Sequence, residues 1–212
     1  MEILLIAGGT VDSEQLKEQW RILKAPYVIG VDRGAVTALE NNIKVDKSIG
    51  DFDSVSEAER VVINTFSDVE ELCPEKDDTD TEHALRFALS LSPEKIIMMG
   101  CTGSRLDQTF ASIRLLKLAK DKNIDCCILD LNNRIRVEKG TFIITKKDIF
   151  GKYISVLPFG DIAEGIKETG FKYEVNNLTL TAELAQGVSN ELVKDVGMIS
   201  CKDYFIVMET RD

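Results

Sequence analysis

Short, uninterrupted apolar runs alternate with segments of helical periodicity over the first 131 residues. Such runs are typical of strands that are buried on both faces of a parallel sheet. The pattern predicts strands at about residues 3–7, 27–31, 48–49, 69–73, 96–99 and 126–131. It predicts helices at about residues 13–23, 32–42 and 56–66, and two more that begin after residue 79 and near residue 106. Because strands and helices alternate, the expected fold class is α/β, with a doubly wound, mostly parallel sheet and helices on both faces.

The hydrophobic pattern changes at about residue 133. The following segments are short and rich in β-branched and aromatic residues, and turn signals such as Asn176-Asn177 and Gln186-Gly187 separate them. The predicted strands are 141–145, 153–157, 171–175, 178–181 and 204–208. This pattern predicts a second, all-β domain, a small β-sandwich or flattened barrel. The expected domains are therefore residues 1–132 and 133–212.

Two carboxylates, Asp51 and Asp53, follow the short third strand in the sequence Gly50-Asp51-Phe52-Asp53-Ser54. Alternate residues of an extended segment point the same way, so the two side chains can converge. Their mutual repulsion favours a bound hard cation such as Mg²⁺. A plain surface turn is the alternative interpretation, because Asp, Gly and Ser are also turn formers.

Further polar residues follow other strands of the predicted sheet. The set comprises Asp32, Asp77, Asp80, Arg105 and Asp107. All lie just beyond the carboxyl ends of predicted strands, the edge at which open α/β sheets bind ligands. Thr79 is sufficient to cap the next helix, which leaves Asp80 able to face a crevice. Helix capping is the competing explanation for Asp107, whereas Arg105 is suited to phosphate oxygens.

Composition narrows the class of protein. The 212 residues carry a net charge of -10, which argues against nucleic acid as a partner. No apolar run is long enough to predict a transmembrane helix. The five scattered cysteines fit a reducing, cytoplasmic compartment. The chain lacks the Gly-x-x-x-x-Gly-Lys-Ser/Thr motif of P-loop proteins. A polyphosphate held through Mg²⁺ reconciles an acidic protein with an acidic ligand.

Five short motifs, in order, resemble those of the thiamine pyrophosphokinase family. They are Val31-Asp32-Arg33-Gly34-Ala35, Gly50-Asp51-Phe52-Asp53-Ser54, Lys76-Asp77-Asp78-Thr79-Asp80, Gly100 to Gln108, and Gly187-Val188-Ser189-Asn190-Glu191. The resemblance implies an N-terminal catalytic domain, a C-terminal thiamine-binding domain, and a homodimer with its active site at the protomer interface. The implied reaction transfers the pyrophosphoryl group of ATP to the hydroxyl of thiamine, giving thiamine diphosphate and AMP.

The resemblance also implies roles for individual residues. Asp32, Asp51, Asp53 and Asp80 would be catalytic, and Asp51, Asp53 and Asp80 would bind Mg²⁺. The expected ATP contacts are Asp77, Thr79, Arg105, Asp107, Gln108 and Arg33. Ser189 and Asn190 would contact thiamine. Arg33 and Gln108 depart from the family pattern, in which Gly and His are common at these positions.

Two other functions remain compatible with these residues. One is a Mg²⁺–nucleotide sensor that binds without turnover, and the other is a different ATP-dependent transferase on the same fold. The Ser189-Asn190 loop favours the pyrophosphokinase, because a sensor needs no second substrate pocket.

Overall fold

A computed structural model describes residues 1–73, 75 and 77–212, and its contacts divide the chain into two compact units, Met1–Leu131 and Asn132–Asp212. Lys76, from the third motif, and Pro74 lie outside the described residues. No helix in the described part of the chain is long and apolar enough to cross a membrane.

The first unit is built on a six-stranded parallel sheet. Its strands are β1 (Glu2–Ile6), β2 (Tyr27–Val31), β3 (Lys47–Gly50), β4 (Asp68–Glu71), β5 (Lys95–Met99) and β6 (Asp125–Leu129). Their spatial order is β6-β5-β1-β2-β3-β4, and every pairing among them is parallel. The order runs outward in one direction from β1 to β4 and in the other from β5 to β6. This reversal confirms the doubly wound sheet and places a topological switch point between β1 and β5.

Five helices connect these strands. They are α1 (Ser13–Ile22), α2 (Arg33–Glu40), α3 (Glu57–Phe66), α4 (Asp80–Ser90) and α5 (Leu106–Asp121). Local capping chemistry sets several of their starts: the Ser56 hydroxyl accepts the Glu59 N–H, and the Thr79 hydroxyl accepts the Glu82 N–H. Leu106, Phe110, Ile113 and Leu116 share one apolar side of α5 by their spacing. This side is buried only in part, because Leu106 and Phe110 are exposed whereas Ile113 and Leu116 are buried.

The second unit consists of antiparallel strands. They are β7 (Asn133–Thr145), β8 (Tyr153–Pro158), β9 (Ile162–Thr169), β10 (Val175–Thr181), β11 (Asn190–Glu191) and β12 (Val196–Thr210). The long strand β12 pairs with β7 along its length, with β9 through its first half and with β8 through its second. A register shift between Cys201 and Tyr204 marks the change of partner. The strands enclose an apolar core that includes Ile154, Ile166, Phe171, Ile199 and Phe205.

The strands predicted for this unit differ from the observed ones, most clearly at β9 and at segment 171–175. Strand β9 was not predicted, because its sequence Ile-Ala-Glu-Gly-Ile-Lys-Glu-Thr is polar and contains a glycine with a φ of 69°. The segment 171–175 was predicted as a strand, but only Phe171 forms an isolated bridge and only Val175 enters a strand.

Candidate active site

A cavity of about 570 Å³ opens at the carboxyl ends of β1, β2 and β5, at the switch point of the parallel sheet. Its walls come from residues 7–10 after β1, 31–32 after β2, 79–81 at the start of α4 and 100–105 after β5, with Gln108, Thr109 and Ser112 of α5. Of the polar residues expected at this edge of the sheet, Asp32, Asp80 and Arg105 line the cavity.

Three carboxylates meet at this edge. Asp32, Asp51 and Asp80 each offer one carboxylate oxygen, and these oxygens lie within 4.8 Å of one another. Two charges at that separation repel by roughly 3 kcal/mol at a protein-surface dielectric. Opposite ligands of one octahedral Mg²⁺ lie about 4 Å apart, so small side-chain movements suffice to bring these oxygens to one ion. The donor set of hard oxygens thus fits a divalent cation.

The membership of this group differs from the sequence-based prediction. The predicted ligands were Asp51, Asp53 and Asp80, whereas the structure gathers Asp32, Asp51 and Asp80 and leaves the exposed Asp53 outside the group. The backbone N–H of Asp53 donates to Asp51 Oδ1 at 3.1 Å, and this bond holds the Asp51 carboxylate in place. Asp53 still contributes charge to the site, because it helps to raise the pKa of Asp32.

The pKa of Asp32 is raised to about 6. Burial is the largest cause, and the charges of Asp80, Asp51 and Asp53 act in the same direction. The backbone N–H of Phe52 donates to Asp32 Oδ1 at 3.2 Å and opposes the shift. A carboxyl group in this environment is costly to ionise without a cation.

Replacing Asp32 by Asn is therefore expected to stabilise the metal-free protein above pH 6. Asp32 favours the folded state below pH 4, and this contribution is lost as pH rises through 6, because the folded pKa exceeds the unfolded value of 3.8. Because the Asp32 side chain is partly exposed, its pKa shift is discounted, and the free energy of unfolding of the variant at pH 8 is expected to be higher by about 1–2 kcal/mol. Urea unfolding followed by fluorescence of Trp20, the single tryptophan, measures it. A variant less stable than the parent at pH 8 would contradict this expectation.

The nucleotide contacts expected from the sequence fall into two groups. Thr79, Arg105 and Gln108 line the cavity. Asp77, Asp107 and Arg33 are not among the described residues of its lining. The Asp107 carboxylate instead accepts two hydrogen bonds from the Arg105 guanidinium, at 3.2 and 2.6 Å, and this ion pair orients the arginine.

Arg33 makes its contacts on the side of α3. Its guanidinium donates to the carbonyl oxygen of Ser54 and to Glu59 Oε1, both at 3.3 Å. Arg33 thus ties the end of the acidic turn to the first turn of α3. These contacts are those of a residue that holds the turn in place.

The glycines after β1 allow the backbone there to approach the backbone after β5 closely. A Cβ at Gly9 would lie 2.4 Å from the carbonyl oxygens of Gly100 and Thr102. The N–H groups of Gly9 and Thr10 donate to those same two carbonyls, at 2.8 and 2.9 Å. These two N–H groups are therefore already paired, which indicates a tight turn rather than a phosphate-binding loop.

Ser189 and Asn190 belong to the second unit and differ in solvent exposure. Ser189 is exposed and has a φ of 61°. Asn190 is 7% exposed, and its side-chain amide is fully used inside the unit. Its Nδ2 donates to Glu168 Oε2 and the Tyr173 carbonyl, at 2.8 and 2.9 Å, while its Oδ1 accepts the N–H groups of Tyr173 and Glu191, at 3.0 and 2.9 Å. Asn190 therefore fixes the loop that carries Ser189.

Phe52 supports the acidic turn of the site, and no role was predicted for it from the sequence. Its ring is 2% exposed and packs with Ala35, Val36 and Ile63 beneath the acidic turn. The signal was present, because an aromatic residue between two aspartates in a surface turn needs an apolar partner.

A doubly wound sheet with clustered carboxylates and a glycine-lined cavity at its switch point defines a nucleotide-dependent transferase class of site.

Comparisons with known proteins identify the family. The thiamin pyrophosphokinase catalytic domain matches residues 19–128, and the thiamin pyrophosphokinase vitamin B1 binding domain matches residues 141–206. Thiamine pyrophosphokinase of Bacillus subtilis is 35% identical over 181 residues, which cover 85% of each chain.

Solved structures agree with this result. The crystal structure of thiamine pyrophosphokinase from Bacillus subtilis superposes with a TM-score of 0.89 at 32% identity and full coverage of both chains. The enzyme from Geobacillus thermodenitrificans gives a TM-score of 0.85 at 28% identity, covering 100% of this chain and 98% of that one. The chain belongs to the thiamine pyrophosphokinase family. Its activity is that of a thiamine diphosphokinase, which transfers the pyrophosphoryl group of ATP to thiamine.

Proposed function

We propose that residues 1–132 form the domain that binds Mg²⁺–ATP and that residues 133–212 form the domain that binds thiamine. The observation that carries the first assignment is the convergence of Asp32, Asp51 and Asp80 at the rim of the cavity. Asp53 is proposed as the fourth carboxylate of the site because its charge acts on Asp32. When bound, Mg²⁺ would neutralise negative charge on the phosphates.

Arg105, Thr79 and Gln108 are the proposed contacts to the nucleotide within the cavity. The Arg105 guanidinium offers N–H donors to phosphate oxygens, and Asp107 holds it in one orientation. Asp77 and Arg33 are proposed to act from the margin of the site, Arg33 by fixing the acidic turn through the Ser54 carbonyl.

Thiamine recognition is proposed for the loop that ends at Asn190. The Ser189 hydroxyl is the proposed direct contact, because the loop is exposed there. Asn190 is proposed to act through its four internal hydrogen bonds, since both hydrogens of its amide are already donated.

In the proposed reaction the hydroxyl oxygen of thiamine attacks the β-phosphorus of ATP. The bond between that phosphorus and the oxygen bridging to the α-phosphate breaks, and AMP leaves. The hydroxyl proton passes to a carboxylate of the site or to water. The protein residues orient the two substrates and stabilise charge, which is the main requirement of phosphoryl-type transfer. No cysteine nucleophile is needed, and burial raises the pKa of Cys101, in the cavity wall, to about 12.

A homodimer with its active site at the protomer interface is proposed from the family resemblance. A cytoplasmic location is proposed because the five cysteines are odd in number and scattered, which fits a reducing compartment. Sedimentation of the purified protein tests the first proposal. A fully active monomer would contradict it.

The decisive experiment for the function is a product assay. Purified protein with MgCl₂, ATP and thiamine is expected to give AMP and thiamine diphosphate in equal amounts, with neither formed when thiamine is omitted. ADP with thiamine monophosphate would indicate a different transferase. Nucleotide binding without any product would favour the sensor.

A further inference from the structure

Asp32 and Phe52 have unusual backbone conformations on two neighbouring loops of the acidic site. Asp32 has φ and ψ of 47° and -121°, and Phe52 has a φ of 56°. Residues with side chains adopt such conformations only when the surrounding structure imposes them. The backbone N–H of Asp32 donates to the Ile49 carbonyl at 3.1 Å, which links the start of α2 to the end of β3.

The space for the Asp32 carboxylate exists because residue 50 has no side chain. A Cβ built on Gly50 would lie 1.8 Å from Asp32 Oδ1 and 2.7 Å from its Cγ. Non-bonded heavy atoms do not approach so closely, so a side chain at position 50 and the observed Asp32 carboxylate exclude each other. The backbone φ of Gly50, 156°, also disfavours other residues.

The same space fixes the direction of the carboxylate. Lying over Gly50, Asp32 Oδ1 accepts the Phe52 N–H at 3.2 Å, and Phe52 is anchored by its buried ring. One carboxylate oxygen is thereby held on the backbone of the acidic turn, and the carboxylate group faces Asp51 and Asp80. The two loops therefore hold Asp32 and Asp51 together, and Asp80 joins them from the start of α4.

We propose that Gly50 is a positioning residue for the carboxylate site, and that the absence of a side chain at position 50 lets Asp32 join Asp51 and Asp80. The proposal rests on the proposed function only for the identity of the ion, because the steric relation between residues 50 and 32 exists in the metal-free protein. Gly50 itself contacts no substrate in this proposal.

A double-mutant cycle in metal-free buffer tests the steric relation. The four proteins are the parent, Gly50→Ala, Asp32→Ala and the double variant, with thermal unfolding followed by Trp20, which lies in α1 of the first unit. Gly50→Ala is expected to lower the melting temperature by about 5 °C or more in the parent but by less than half as much in Asp32→Ala. Equal losses in both backgrounds would overturn the proposal. If Gly50→Ala does not fold, a folded double variant supports the proposal and an unfolded one contradicts it.

Magnesium titration supplies a second readout. MgCl₂ is expected to raise the melting temperature of the parent and of Gly160→Ala, but not that of Gly50→Ala. Gly160 is the matched control, because a Cβ there would meet nothing within 4 Å. A full Mg²⁺ shift in Gly50→Ala would overturn the proposal. If the effects of Gly50→Ala and Asp32→Ala on stability are coupled but the parent makes no thiamine diphosphate, only the proposed function is rejected. If the parent makes thiamine diphosphate but the two effects are additive, only the role of Gly50 is rejected.

Discussion

Replacing Asp51 by Asn is expected to reduce thiamine diphosphate synthesis by roughly 10²–10³-fold, the range seen when one group that stabilises transition-state charge is removed. Asp51 is one of the three carboxylates whose oxygens lie within 4.8 Å. An asparagine keeps the Oδ1 that accepts the Asp53 N–H but removes the negative charge. The fold is expected to persist, because the substitution relieves repulsion. Steady-state formation of AMP, measured over a range of Mg²⁺ concentrations, gives the result.

Glu14→Gln is the matched control for this loss of charge. Glu14 lies in α1 with 82% of its side chain exposed and pairs with Lys17 at 3.2 Å. Its amide variant is expected to retain parental activity.

Asp53→Asn is expected to lose activity, as Asp51→Asn does, because Asp53 also adds negative charge near Asp32. Near-parental activity of Asp51→Asn would remove Asp51 from the site.

The largest expected loss of stability comes from Arg134→Met in the second unit. Arg134 in β7 lies directly opposite Glu209 in β12, and its guanidinium donates to both carboxylate oxygens, at 2.6 and 2.5 Å. The Glu209 side chain is 1% exposed and also accepts the Phe150 N–H at 3.0 Å. Removing the arginine leaves a buried carboxylate without its counter-charge, at a cost of about 3–5 kcal/mol. Scanning calorimetry measures the loss for this unit, which contains no tryptophan.

Lys194→Met provides the comparison for a surface ion pair in the same unit. Lys194 contacts Glu174 at 2.9 Å, and their side chains are 66% and 46% exposed. Its loss is expected to cost about 0–1 kcal/mol. In the double variant Arg134→Met/Glu209→Leu, part of the lost stability should return, because the buried Glu209 carboxylate that lost its partner is also removed. Equal effects of Arg134→Met and Lys194→Met would contradict the burial argument.

Local patterns were sufficient to predict much of the first unit. Continuous apolar runs located its buried strands, and the Thr79 hydroxyl caps α4 as its sequence indicated. The alternation of strands and helices then placed the polar loop residues at one edge of the sheet. These features depend on short-range chemistry and on the general geometry of parallel sheets, so a single sequence contains them.

The membership of the carboxylate group could not be predicted in the same way. Asp32 enters it because of a backbone φ of 47° and because Gly50, 18 residues later, leaves room for its side chain. Both causes are tertiary, so neither produces a periodic pattern. Similarly, three of the four internal hydrogen bonds of Asn190 join it to Tyr173 and Glu168, which are distant in sequence.

The solvent exposure of apolar side chains in α5 was another property that the helical periodicity of the sequence did not determine. Leu106 and Phe110 continue the apolar stripe of α5, yet they are 77% and 64% exposed, whereas Ile113 and Leu116 are buried. Helical spacing shows which residues share a face. It does not show where along the helix that face meets the core.

The proposed reaction depends most on one physical event, the binding of a divalent ion and nucleotide at the rim formed by Asp32, Asp51 and Asp80. Mn²⁺ titration followed by electron paramagnetic resonance, with α,β-methylene ATP to prevent transfer, measures this event directly. We expect the parent and Glu14→Gln to bind Mn²⁺ together with the nucleotide, and Asp51→Asn and Asp80→Asn to lose this binding. Undiminished binding in both aspartate variants would contradict the account.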